Sequence, residues 1–202
     1  LSLVPGIAGL SFSGNVFDDP GPAALIPPFL KSGDKIAITC PAGWISLEEI
    51  QPAIRQMESW GFVVRVGMTV GKRDFSFGGT DEERARDMQI LLDDHTVKAI
   101  MCARGGYGIS RILDKLNFSR FKEKPKWIIG FSDATVFHSH INENIRIATI
   151  HSKMCNSFPT DSKRFSKQVM NQGFRLGHSA LGFRVSGSNS RMGVSQSRAI
   201  AK

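Results

Sequence analysis

The chain has 202 residues, 41% of them hydrophobic, enough for one substantial domain with its own core. No apolar run is long enough to span a bilayer, and residues 1–17 lack the Lys or Arg that opens a secretory signal, so membrane insertion is not expected. The formal net charge is +8, yet residues 163–202 hold eight of the 26 basic residues and no acid, leaving 18 basic against 18 acidic residues elsewhere. A nucleic-acid-binding domain would be basic across a folded face, so neither nucleic acid nor a membrane is expected as a partner.

Residues 1–28 are rich in Pro, Gly and Ser, and Pro20, Pro22, Pro27 and Pro28 interrupt any regular element, which predicts an irregular leader. The folded domain is expected over residues 29–160. Short β-prone runs alternate there with helical patterns: a strand at 35–39, a helix at 46–60 and a strand at 62–66. Pro52 restricts the first of these helices, because proline is tolerated only in a first turn or where the helix begins late. Thr80 with Glu83 three residues on forms a capping box, and Met88, Leu91 and Leu92 give the following helix an apolar face that ends near Asp94. A strand at 98–102, a helix at 107–116, a strand at 127–131, a helix at 133–142 and a strand at 147–151 complete the pattern.

Strands apolar throughout, alternating with helices, predict an α/β fold: a doubly wound, mostly parallel sheet with helices on both faces. In such sheets the ligand site lies beyond the carboxyl ends of the strands, at residues 40–44, 104–108, 132–135 and the turn after His151. Beyond Asp161, Phe165, Phe174 and Leu176 follow no steady period among Ser, Gly and Arg, so residues 161–202 are expected to form a basic, irregular tail. Cys40, Cys102 and Cys155 are widely spaced in apolar surroundings, as expected for reduced, buried thiols in a cytoplasmic protein.

The segment Gly130-Phe131-Ser132-Asp133-Ala134 joins an apolar strand to a helix, with small residues two positions either side of the serine. That is the pattern of a nucleophile elbow, with Ala134 replacing the usual second glycine; the backbone N–H of Asp133, at a helix start, would then face a developing oxyanion. The same residues also serve as a plain helix N-cap, and the motif alone leaves both uses open. Arg104-Gly105-Gly106-Tyr107-Gly108 follows the third strand and lets backbone approach a ligand closely. It lacks the spacing of a nucleotide cradle, so a second oxyanion donor is its better use, beside the alternative of a tight turn. Of the five histidines, His151 ends a strand on the functional edge, where it would line a pocket, while His138 and His140 ride the helix after the elbow. No histidine or carboxylate spacing supports a metal site.

Taken together, Gly33-Asp34-Lys35-Ile36-Ala37-Ile38 leading to Pro41-Ala42-Gly43, Gly79-Thr80-Asp81-Glu82-Glu83-Arg84, the glycine loop with Arg111, and Gly130-Phe131-Ser132-Asp133-Ala134-Thr135 resemble the LD-carboxypeptidase (muramoyltetrapeptide carboxypeptidase) family of serine peptidases over residues 29–158. The resemblance implies Ser132 as the nucleophile of a Ser-His-Glu triad, with the backbone N–H groups of Gly106 and Asp133 as the oxyanion hole and Arg104 and Tyr107 facing substrate. It further implies a cytoplasmic, often homodimeric enzyme of peptidoglycan recycling that needs no cofactor or metal and releases the terminal D-alanine of an L,D-linked murein peptide. In that family the histidine and glutamate come from a C-terminal domain. Here 70 residues follow Ser132 and no Glu follows Glu143, so the chain is expected to be truncated and inactive as it stands. The alternative is a non-catalytic module that binds a murein peptide or a partner.

Overall fold

The computed structural model describes residues 24–158 and the backbone of residues 184–186. Strand β1 (Lys35–Thr39) is followed by α1 (Leu47–Ser59), β2 (Val63–Val66), α2 (Asp81–Asp93), β3 (Val97–Cys102) and α3 (Ile109–Ile112). Then come α4 (Ser119–Glu123), β4 (Trp127–Gly130), α5 (Thr135–His140), β5 (Thr149–His151) and β6 (Arg184–Ser186). The sheet order is β2-β1-β3-β4-β5-β6. Strands β1 to β5 pair in parallel, and β6 adds to β5 antiparallel. The α/β expectation therefore holds, with a mostly parallel sheet.

Alternation within each strand sends side chains to opposite faces and makes two cores. Ile36, Ile38, Met101, Trp127 and Ile129 face α1 and its neighbours, Ile50, Ala53 and Met57. Ala37, Ile100, Cys102 and Ile128 face the other way, against Met88, Leu91, Leu92, Phe121 and Phe137 of α2, α4 and α5. Helices thus cover both faces, which is why these strands read as apolar runs.

Local signals set the helix starts. Thr80 and Glu83 form the expected capping box, and Ser46 with Glu49 forms another. Pro52 is the sixth residue of α1, inside the helix rather than in its first turn. The helix continues through it; the Glu48 carbonyl four residues earlier loses its donor, and Glu48 lies on the exposed side, open to water. The helix expected at 107–116 begins only at Ile109, since Gly108 has a φ of +126° that no helix accepts, and it tightens into a 3-10 turn over Leu113–Lys115. The helix expected after the elbow starts as a 3-10 turn, Ser132–Ala134, and ends as a π-helical turn, Ile141–Ile145.

Two expectations for the ends change. Part of the anticipated leader packs on the domain: Leu25 bridges to Ile147, and the Trp127 indole N–H donates to the Pro28 carbonyl at 2.9 Å. Residues 184–186, placed in an irregular tail by sequence, form β6 by pairing with β5, because an edge strand satisfies its backbone wherever an unpaired neighbour runs alongside. The rest of the anticipated leader and tail lies outside the described residues. No helix among the described residues is long and apolar enough to cross a membrane.

Candidate active site at the carboxyl edge of the sheet

The strand order reverses direction between β1 and β3, and the crevice expected beyond the carboxyl ends of the strands belongs at that point. The loop after β1 meets the glycine loop after β3 there: the Gly43 N–H donates to the Gly105 carbonyl at 3.1 Å. The elbow after β4 closes the third side.

Ser132 sits on left-handed backbone, with φ +59°, a conformation that costs a non-glycine residue about 1–2 kcal/mol and is kept only where the surroundings enforce it. The small flanking residues are what make the bend fit. A Cβ on Gly130 would lie 2.7 Å from the Ala134 Cβ and 3.2 Å from the Cys102 Cβ. Ser132 is exposed, and its hydroxyl makes no hydrogen bond among the described residues. It faces Gly105: a Cβ there would stand 3.1 Å from the Ser132 Oγ, so a side chain at 105 would cover the hydroxyl.

The two loops are tied together by Asp133, whose carboxylate accepts the Ile109 N–H at 3.0 Å and so caps the start of α3. The backbone N–H groups of Asp133 and Gly106 have no acceptor among the described residues. Gly106 is exposed.

Behind the crevice lies Arg84, which ends the Gly79–Arg84 motif and whose role is not marked by any local pattern. The Arg84 guanidinium is fully buried and donates to the Pro41 carbonyl at 2.6 Å, the Gly108 carbonyl at 2.9 Å and the Gly79 carbonyl at 3.2 Å. It also pairs with Asp81 and lies over the Phe77 ring at 4.9 Å. One side chain thus fixes the loop after β1, the turn before α2 and the end of the glycine loop. Burial pushes its pKa down and Asp81 opposes that. Asp87 is a second such centre. Its carboxylate accepts from the Thr69 hydroxyl (2.6 Å), the Thr39 hydroxyl (2.8 Å), the Met68 N–H (3.0 Å) and the Thr69 N–H (3.1 Å). Nothing local marks Arg84 or Asp87 as buried, because their partners arrive from segments up to 48 residues away.

The other expected residues take these places. Arg104 is exposed, and its Nη1 donates to the Trp44 carbonyl at 3.2 Å. Tyr107 is 58% exposed, its ring 6.1 Å from Phe77. His151 ends β5 and is exposed, 6.3 Å from the Phe131 ring and 5.9 Å from that of His138. His138 is buried beneath the elbow, its Nε2 3.0 Å from the Gly130 carbonyl. Because that contact needs a proton on Nε2, Nδ1 is the bare nitrogen, and it has no partner among the described residues. Burial holds this imidazole below the usual histidine pKa, the Gly130 carbonyl pulls the other way, and His151 lowers it further. His140 packs against Phe118, and His178 lies outside the described residues. The three cysteines are buried free thiols; burial pushes both Cys40 and Cys102 up to about 12, far from reactivity. Among the described residues, no three His, Cys, Asp or Glu side chains gather as metal ligands.

Fold and site together define an open α/β domain whose serine elbow, after β4, faces the glycine loop after β3, beside the point where the sheet reverses. Residues 36–152 match the model of the LD-carboxypeptidase N-terminal domain, and the chain belongs to that family. It is 31% identical over 131 residues to a probable murein peptide carboxypeptidase of Bacillus subtilis, covering 65% of this chain and 41% of that protein. With the murein tetrapeptide carboxypeptidase of Pseudomonas aeruginosa it shares 33% identity over 111 residues, 52% of this chain and 36% of the relative. A solved structure of an MccF-like protein from Bacillus anthracis superposes with a TM-score of 0.65 at 26% identity, over 71% of this chain and 45% of that one. The chain therefore spans about two-fifths of the length of these curated relatives.

Proposed function

We propose that this chain carries the nucleophile and oxyanion hole of an LD-carboxypeptidase acting on murein peptides. The observation that carries the reading is the exposed Ser132 hydroxyl, unbonded among the described residues, on strained backbone facing Gly105, with N–H groups that have no acceptor there on the next residue along from each, Asp133 and Gly106. In the reaction, the Ser132 oxygen attacks the carbonyl carbon of the L,D-peptide bond as a base removes its proton. The two N–H groups hold the tetrahedral oxyanion, the bond to the leaving D-alanine breaks as its nitrogen takes up that proton, and water hydrolyses the acyl-serine. Arg104, Tyr107 and His151 line the substrate side. The similarity to murein peptide carboxypeptidases supports the substrate class, and a cytoplasmic, homodimeric enzyme of peptidoglycan recycling accords with it.

Among the described residues no histidine bonds to Ser132, and His138 is committed to Gly130. A serine without its base loses several orders of magnitude in rate, so the 202-residue chain should release D-alanine from an L,D-linked tetrapeptide no faster than its Ser132→Ala variant. Brisk release dependent on Ser132 would show that the base is present after all. The nucleophile itself is tested by a peptide boronic acid, which captures an oxygen nucleophile beside an oxyanion hole. Binding should weaken at least about tenfold in Ser132→Ala, and equal binding would sink the assignment. The same lack of a histidine partner favours one further reading, a peptide-binding module without catalysis, for which tetrapeptide affinity would be unchanged in Ser132→Ala and the boronate would gain nothing over the peptide.

A further inference from the structure

The arginines around the crevice fall into two groups. Arg84 and Arg111 both pair with Asp81, so their charge is spent inside the protein. Arg104 has no carboxylate partner among the described residues; its one hydrogen bond is to the Trp44 carbonyl, which uses a single N–H of the five a guanidinium offers. Its stem lies across Gly43, with Cδ and Nε each 3.5 Å from the position a Gly43 Cβ would occupy. It is bonded directly to Gly105, the residue that faces the Ser132 hydroxyl. Arg73, also without a carboxylate partner among the described residues, stacks on the Trp44 ring at 4.4 Å and adds a second positive charge to the same rim. The nearest elbow acid, Asp133, is occupied in capping α3.

An unpaired, exposed guanidinium, steadied by one backbone carbonyl and one residue removed from the hydroxyl's neighbour, is a ready receptor for a carboxylate. Its remaining donors form the planar fork that a carboxylate matches with two parallel bonds. In a peptide whose last amide bond lies over Ser132, the free terminal carboxylate sits about one residue's length, ~3.8 Å, beyond the bond. We infer that Arg104 is the specificity-determining residue that holds the free α-carboxylate of the leaving residue, restricting the site to the last peptide bond of a chain. The inference rests on Ser132 as the attacking group, because the carboxylate's place is reckoned from the peptide bond that this hydroxyl attacks.

Calorimetric titration of the 202-residue chain with the L,D-linked tetrapeptide and with its C-terminal amide tests it. The acid should bind at least about tenfold more tightly than the amide, as loss of one charge-assisted pair predicts. Arg104→Ala should abolish that preference, bringing the acid and the amide to equal affinity, and Arg104→Lys should keep part of it. Equal affinity for acid and amide, including no binding of either, overturns the inference. So does Arg104-dependent binding of adenosine monophosphate without any acid preference, which would assign the guanidinium to a phosphate. If the boronic acid ignores Ser132 while the Arg104-dependent acid preference persists, the nucleophile falls and the carboxylate site stands.

Discussion

The carboxyl edge of the sheet holds two polar centres of opposite character. At Asp87 the carboxylate is buried and accepts four hydrogen bonds from Thr39, Met68 and Thr69. At Ser132 the hydroxyl is exposed, accepts none among the described residues, and stands on backbone held in the left-handed region. The first centre has every bond made and contributes rigidity. The second leaves donors and a hydroxyl uncommitted at a cost in local strain, which is the condition for acting on something that arrives from outside. Both stand near the reversal of the sheet, so position along the edge does not separate structure from chemistry; the state of the hydrogen bonds does.

That contrast can be broken most severely at Asp87. Asp87→Ala removes the shared acceptor of two buried hydroxyls and two backbone N–H groups, of which the Thr39 and Thr69 hydroxyls can still bond each other, and should lower the unfolding free energy by about 3–5 kcal/mol in urea titrations. A loss below 1 kcal/mol would mean that water or a rearrangement satisfies them. A smaller effect is expected at His138, beneath the elbow. Its folded-state pKa is held below the ordinary 6.5 by burial, so below pH 6.5 the unfolded chain takes up the proton first. Its contribution to stability is therefore complete above pH 6.5 and is lost as pH falls toward the folded value. Urea midpoints measured from about pH 4.5 to about pH 7.5, on either side of the ordinary ~6.5, should show this decline, and His138→Leu should flatten it. An unchanged slope in the variant would refute the assignment. The smallest effect concerns strain: Ser132→Gly should raise stability by about 0.5–1 kcal/mol, because glycine adopts the left-handed region without steric cost. A drop in stability would mean that the serine is not strained.

The sequence carried much of this. Strands β1 and β3 lie within a residue of where apolar runs placed them, and the Thr80–Glu83 capping box started α2 where expected. Where the reading slipped, a single backbone feature decided. The positive φ at Gly108 delayed α3, and Pro52 proved tolerable within α1 because the carbonyl it deprives can reach water. The short helix α4 went unread, since five residues give no period to recognise.

Sequence alone determined what depends on neighbours along the chain: which stretches are strands, where helices are capped, and that Ser132 stands between small residues at a strand–helix junction. Only the tertiary structure decided which loops share the crevice, that Arg84 reaches Pro41 and Gly108, 43 and 24 residues away, and that Arg104 has no acid among the described residues while Arg111 is given one. Capping and periodicity act over three or four residues and are written locally. Burial and pairing depend on the order in which strands join the sheet, and that order is settled by the competition of both apolar faces for cover, which no single segment encodes.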